Sequence, residues 1–243
     1  MEMEELKRWT TFVCFDIETT GLNLSNAEII EIGALKVKEG KVSHVFSEFI
    51  RPMNGIPKHI TELTGINDTM VEDSDPVDIV VRRFIDFVAD DILIGHNIMF
   101  DYSFIKTAAN REKLHFEKMG IDTLGLSRKL HKELDSKSLE SMCKHYNIIN
   151  RNAHRAYDDA KATALLYVNL CNGFFQENPS VFKPKPLLYK VKKIQPITNR
   201  QKKTLIDLIK YHKIDNILCD DTLTQSEASR LIDKINLQYG KTL

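Results

Sequence analysis

A chain of 243 residues is long enough for one substantial domain with a small appendage, and its 42% hydrophobic content is that of a globular protein in water. Met1–Arg8 alternates acids and bases without an apolar core, and no apolar run approaches the ~20 residues of a membrane span, so neither a signal peptide nor a membrane segment is expected. The net charge of zero is unevenly spread: residues 1–175 carry 21 Lys+Arg against 27 Asp+Glu, whereas the remainder carries 13 against 7. Cys14, Cys143, Cys171 and Cys219 are widely separated and form no CxxC pair, which argues against a zinc ribbon or redox motif and fits buried thiols in a reducing cytoplasm.

Thr11–Glu18 is rich in β-branched and aromatic residues and reads as a strand, followed by the turn formers Gly21 and Asn23. In Glu28–Lys38 the residues Ile30, Ile32 and Ala34 share one face of a second strand, and Gly40 turns the chain into a third, Lys41–Ile50, giving an antiparallel meander. After Pro76 the period lengthens. Val77, Val80, Val81, Phe84, Ile85 and Val88 recur at helical spacing, with acids from Asp73 to Asp78 at the favourable end. Ile92–His96 has the apolar run of a buried strand, Met99–Asn110 reads as a helix, Gly120–Asp122 as a brief strand, and Ser138–Tyr146 and Tyr157–Cys171 as two more helices. Three strands followed by alternating strands and helices predict an α/β domain, a mixed sheet with helices packed on it, ending near Gly173.

Beyond residue 174, Pro179, Pro184, Pro186 and Pro196 fall among lysines and predict an extended connector over 175–197. A small helical unit is expected over 198–243. Leu205, Leu208, Ile209 and His212 share one helical face there, and Thr224 with Glu227 forms a capping-box pattern ahead of Ala228, Leu231, Ile232 and Ile235. Its core is meagre, so it is expected to pack on a partner, on the main domain or on nucleic acid.

The chemistry is carried by acids. Asp16 and Glu18 stand two apart on the first strand, so both carboxylates leave the same face, where burial and mutual repulsion call for a cation. Asp101 follows the strand Ile92–His96, in the first turn of a helix, and Asp159 lies near the start of the last helix of the domain, five residues after His154. Four hard oxygen ligands suit Mg²⁺ or Mn²⁺ better than zinc. Two such ions, roughly 3.5–4 Å apart, suit phosphodiester cleavage, and a histidine beside them can take the proton of the attacking water, since imidazole ordinarily titrates at about 6.5.

At these residues the sequence resembles the DEDDh exonucleases, the family of the proofreading subunit of bacterial DNA polymerase III and of the proofreading domain of related replicative polymerases. The first family motif appears as Phe15-Asp16-Ile17-Glu18-Thr19-Thr20-Gly21-Leu22, followed by Ile29-Ile30-Glu31-Ile32-Gly33-Ala34. The second is His96-Asn97-Ile98-Met99-Phe100-Asp101, and the third His154-Arg155-Ala156-Tyr157-Asp158-Asp159-Ala160, with Ile60–Ile66 and Ile121-Asp122-Thr123 as secondary features.

The resemblance implies a ribonuclease H-like fold, 3′→5′ polarity, metal ligation by Asp16, Glu18, Asp101 and Asp159, and His154 as general base. It selects Asp159 over Asp158, because the family places its last acid five residues after the histidine. It also implies that Thr19, Gly21, Leu22, Asn97 and Phe100 border the terminal nucleotide of a single-stranded or frayed DNA 3′ end, and a role in DNA replication or repair. Ribonucleases of the same fold remain an alternative, as does a non-catalytic polymerase-associated module. The basic run Lys183–Lys203, with Lys183, Lys185, Lys190, Lys192, Lys193, Arg200, Lys202 and Lys203 and no acid, is expected to raise affinity for nucleic acid; docking on a polymerase subunit is the competing expectation for the same tail.

Overall fold

The computed structural model describes residues 10–191, 195–214 and 223–240. Met1–Arg8, Lys192, Lys193 and Cys219 lie outside them. The chain divides into two compact units, Met1–Leu22 with Glu28–Val191, and Asn23–Ala27 with Lys192–Leu243.

The first unit is built on a six-stranded mixed sheet whose strands β1 (Phe12–Thr19), β2 (Ile29–Lys38), β3 (Lys41–Phe49), β4 (Leu93–Gly95), β5 (Met119–Asp122) and β6 (Lys185–Pro186) lie in the order β3-β2-β1-β4-β5-β6. Strands β1, β2 and β3 form the expected antiparallel meander. β4 lies parallel to β1, and β5 parallel to β4. Along β1 the side chains alternate between two apolar layers. Phe12 and Cys14 join Leu35, Val37, Ile94 and Ile121 on one face, packed by α5 (Thr123–Leu130), α6 (Leu139–His145) and α7 (Ala156–Phe174) through Leu126, Met142, Ala160, Ala164 and Tyr167. Phe15 points the other way, toward Phe84, with ring centroids 5.5 Å apart.

Phe84 belongs to α3 (Val77–Val88), whose apolar stripe buries Val80, Val81, Phe84 and Val88 as its spacing requires. Its ring also meets Phe46 at 5.5 Å and Phe116 at 6.4 Å. α4 (Met99–Arg111) packs beside α3 and brings Tyr102 against Phe116. Two short helices, α1 (Lys58–Thr64) and α2 (Asp68–Val71), close a smaller cluster of Ile30, Ile56, Ile60, Ile66 and Val71. α1, α2 and α5, which are seven, four and eight residues long, are not among the helices expected from the sequence.

The carboxyl-terminal border of this unit differs from the expectation. α7 runs on through Gly173 to Phe174, and the proline- and lysine-containing stretch after it packs back instead of extending. Pro179–Phe182 forms a 3₁₀ turn that buries Phe182 with Tyr167 and Phe175, and β6 (Lys185–Pro186) adds an antiparallel edge to β5. Leu187 is buried over Gly120, whose missing side chain leaves the room. Proline is acceptable here because β6 is an edge strand. Two aromatic and aliphatic anchors therefore outweigh the local composition.

In the second unit α8 (Asn199–His212) and α9 (Gln225–Tyr239) each begin with a full capping box, Thr198 with Gln201 and Thr224 with Glu227. Leu205, Leu208, Ala228 and Ile235 are buried between them. Cys14 and Cys143 are buried and Cys171 half-buried, all three as free thiols. Among the described residues no helix is long and apolar enough to cross a membrane.

One glycine decides how the first unit closes. A Cβ on Gly33 of β2 would lie 2.0 Å from the backbone nitrogen of Tyr157 and 2.2 Å from the carbonyl carbon of Ala156, so the first turn of α7 rests directly on the strand. Gly33→Ala is expected to cost about 3 kcal/mol or more, since backbone on both sides must yield, and urea unfolding measures it. A loss below about 1 kcal/mol would show that α7 can lift off the strand freely.

Candidate active site

The alternation that buries Phe12 and Cys14 sends Asp16 and Glu18 to the same face, further along β1, where the face is met by the start of α7. Across the ladder Asp16 stands opposite Gly33 and Glu18 opposite Glu31. α4 contributes Asp101, buried at 3% exposure, whose Oδ1 accepts a hydrogen bond from the Ile17 amide at 3.2 Å and so ties the helix start to β1. α7 contributes Asp159. Its Oδ1 accepts from Asn150 Nδ2 at 2.5 Å, and its Oδ2 from the backbone N–H of His154 at 3.0 Å. His154 is exposed and sits in the left-handed region, with φ 64°, which curls its amide back onto that carboxylate.

These side chains converge. Asp16, Glu18, Asp101, His154 and Asp159 line one cleft of about 220 Å³, together with Ile17, His96, Asn97, Phe100 and Leu139. Ligand atoms of Glu18, His154 and Asp159 all lie within 4.8 Å of one another, close enough to hold a metal ion. Asp158 faces elsewhere, accepting from Asn152 Nδ2 at 3.0 Å on the preceding loop. Of the expected nucleotide contacts, Asn97 and Phe100 line the cleft and Thr19, Gly21 and Leu22 do not. Thr19 spends its hydroxyl on the carbonyl of Gly21, at 2.7 Å, and Leu22 is 85% exposed rather than buried in the core.

Several residues that build the site belong to the sequence motifs but had no role assigned by them. Glu31, 2% exposed, accepts from Arg155 Nη2 at 2.8 Å, from Arg155 Nε at 3.2 Å and from the Ala156 amide at 3.1 Å, while the guanidinium lies 5.1 Å from the centre of the Phe49 ring. This latch fixes the residue immediately after His154 to the sheet. An acid inside the apolar run Ile29–Ala34 and an arginine beside the histidine were the available signal. Asp122 does similar work for the second motif: its Oδ1 accepts from the amides of Asn97, at 2.8 Å, and of Leu124, at 3.1 Å. His96 is held between the Thr123 hydroxyl, at 2.9 Å, and the Lys137 carbonyl, at 2.8 Å. Asn150 carried no signal, since nothing in the sequence relates it to Asp159.

The cleft is charged beyond what its own cations balance. Among the described residues no Lys or Arg lines it, and Arg155 is engaged by Glu31. Burial first, then the neighbouring Asp159, Glu31 and Asp101, push the Glu18 carboxyl up to about 8. Burial likewise lifts Asp101 to about 8, against the pull of its backbone hydrogen bonds, and raises Asp16 and Asp159.

Residues 13–167 match the RNase_T exonuclease family. The chain belongs to this family. It is 42% identical over 159 residues to the PolC-type DNA polymerase III of Caldanaerobacter subterraneus subsp. tengcongensis, covering 65% of the chain, and 40% identical over 163 residues to that of Bacillus subtilis, covering 66%. In both cases the matched region is 11% of the polymerase, so the chain spans a small part of the length of these relatives. Among solved structures, exonuclease X in complex with 5′ overhanging duplex DNA has a TM-score of 0.56 at 23% identity, over 70% of this chain and 97% of that one. The nuclease domain of 3′hExo, a DEDDh family member bound to rAMP, has a TM-score of 0.59 at 18% identity, over 72% and 96%. These are likenesses of fold, and with them the ribonuclease H-like exonuclease architecture is established for this chain.

The electrostatics predict an unusual stability profile in chelator. Carboxyls raised from about 4 in the unfolded chain to about 8 in the fold contribute stability that is present below about pH 4 and lost as pH rises through about 8. The melting temperature of the metal-free protein should therefore fall between pH 5 and pH 8, and less so in Asp16→Asn. A melting temperature that climbs over the same interval contradicts the charge imbalance. Separately, Glu31→Gln removes the charge that pairs Arg155, whose side chain is 35% exposed, and should destabilise the fold by roughly 1–3 kcal/mol, read from denaturant unfolding.

Proposed function

We propose that this protein is a 3′→5′ exonuclease that hydrolyses phosphodiester bonds one nucleotide at a time from the end of DNA, using two Mg²⁺ or Mn²⁺ ions held by Asp16, Glu18, Asp101 and Asp159. The observation that carries the reading is the convergence of these four carboxylates in one cleft that no lysine or arginine among the described residues lines. Hard oxygen donors in that number fit these ions by their chemistry. Bound there, the ions would neutralise the phosphate and acidify the attacking water. His154, exposed at the mouth and tethered through its amide to Asp159, takes the water proton. Phe100 and Leu139 offer apolar walls to a sugar or base, and Asn97 a hydrogen-bonding edge. Polarity and the preference for DNA rest on the motif resemblance and on the likeness to PolC-type polymerases. The same likeness favours a second reading, in which the exonuclease works alongside a polymerase during replication or repair in the cytoplasm.

The test is digestion of 5′-labelled single-stranded DNA, of duplex DNA with a mismatched 3′ end and of RNA, with Mg²⁺ and with chelator. A ladder shortening from the 3′ end of DNA, lost in chelator, is the expected result; undiminished cleavage in chelator sinks the metal assignment, and RNA cleaved faster than DNA moves the protein to the ribonuclease branch. Asp16→Asn should lower turnover by orders of magnitude. His154→Ala should lower kcat by ~10²–10⁴-fold while binding of a 3′-ended strand persists. Asp158→Asn should be far milder than Asp159→Asn, because Asp158 is spent on Asn152; the reverse order of rate constants overturns the assignment.

A further inference from the structure

The second unit carries a feature that its own folding does not explain. Its two N-caps are neighbours: the Ile197 amide donates to Leu223 O at 2.7 Å, the Gln225 amide to Gln195 O at 2.9 Å, and Gln201 Nε2 to Ser229 Oγ at 2.9 Å. At the far ends, His212 of α8 meets Tyr239 of α9 with ring centroids 5.4 Å apart. The helices thus run side by side in the same direction, and both finish at one end of the unit. Tyr211, at 64% exposure, and Tyr239, at 47%, flank His212 there, with Tyr211 and His212 ring centroids 4.8 Å apart.

A unit of this size with four buried apolar side chains among its described residues has every reason to recruit large rings inward, since each aromatic can bury roughly 150–250 Å². It leaves two of them partly exposed instead, each beside the His212 ring. Single exposed apolar residues are ordinary, but a cluster is not. The outer face of α8 adds charge to this cluster. Arg200, Lys203, Asp207 and Lys210 are all exposed and recur at i, i+3, i+7 and i+10, a stripe about 15 Å long with three cations to one acid, and exposed Lys213 follows at the ring end. Lys210 and Lys213 also offset the negative ends of the two helix dipoles, which would otherwise repel an anion.

We propose that this end of the C-terminal unit is a second nucleic-acid site, in which single-stranded DNA stacks bases on Tyr211 and Tyr239 and lays its phosphates along Arg200, Lys203 and Lys210. Flat rings beside a basic track are what sequence-independent strand binding needs, because every base has a face to stack and every nucleotide a phosphate. The choice of DNA among polyanions rests on the proposed exonuclease activity. The site would keep the substrate strand attached between cleavage events, in a chain whose first 175 residues are net acidic.

The experiment uses full-length protein in chelator, with binding of 5′-labelled oligothymidylate followed by fluorescence anisotropy across a salt series. Tyr211→Leu and Tyr239→Leu should each weaken binding about tenfold without altering the slope of log K against log salt, and Tyr211→Phe, which keeps the ring, should bind as the wild type does. The triple variant Arg200→Ala, Lys203→Ala, Lys210→Ala should lower that slope by about 0.7 for each phosphate it no longer neutralises. All variants should still hydrolyse the p-nitrophenyl ester of thymidine 5′-monophosphate, a substrate with no strand to hold. Wild-type inability to cleave that ester with Mg²⁺ or Mn²⁺ would count against the exonuclease reading and leave the binding comparison intact. Leucine variants with unchanged circular dichroism and wild-type affinity, and a triple variant with the wild-type slope, would overturn the second site. Loss of polymerase binding with DNA binding unchanged would overturn it in favour of a protein-docking surface.

Discussion

The first turn of α7 lies against β2 at Gly33, and Glu31 on the same strand grips Arg155 and the Ala156 amide just ahead of it. This contact brings the late part of the domain to the early part. Asp16 and Glu18 are placed by β1, but His154 and Asp159 are more than a hundred residues away in the chain, and they reach the same cleft because the backbone at residues 155–157 is held on the sheet. A side chain at position 33 would push the helix away by steric overlap, and an uncharged residue at position 31 would leave the guanidinium unpartnered.

The cost of the cleft is electrostatic, and it is met by the remainder of the domain. One face of β1 changes character along its length: Phe12 and Cys14 pack with Tyr167 and Leu170 of α7, and two positions later the same face presents carboxylates. Apolar layers on both sides of the sheet, with Phe15, Phe46 and Phe116 each in ring contact with Phe84 on the other side, provide the rigidity that holds like charges together. Backbone amides do part of the balancing. Ile17 donates to Asp101 and His154 donates to Asp159, fixing each carboxylate in direction while leaving the cluster as a whole short of positive charge.

The second unit solves a different problem. Its helices begin with reciprocal capping boxes, which compensate locally for a small core, and it leaves Tyr211, Tyr239 and a row of cations exposed on its surface. In the PolC-type relatives the matched region is a small fraction of a much longer chain.

Much of this was readable in one dimension, for identifiable reasons. The meander, α3 and the long helices α4 and α7 follow from periodicity, because burial of one face imposes a repeat of two or of about 3.6 on any element long enough to show it. The identity of the cleft acids was readable from their motifs, and the Thr224–Glu227 cap from its spacing. What the sequence could not contain was the consequence of contacts between distant residues. The stretch after Gly173 looks like a connector by composition, yet Phe182 and Leu187 find waiting space over Tyr167 and Gly120 and draw it into the sheet. Asn150 reaches Asp159, Asp122 collects the amides of the second motif, and Leu22 stays in solvent, none of which leaves a local pattern. The sequence by itself determined which residues carry charge and which faces are apolar; tertiary structure alone decided which charges meet, because their proximity depends on the packing of a helix against a strand at a glycine.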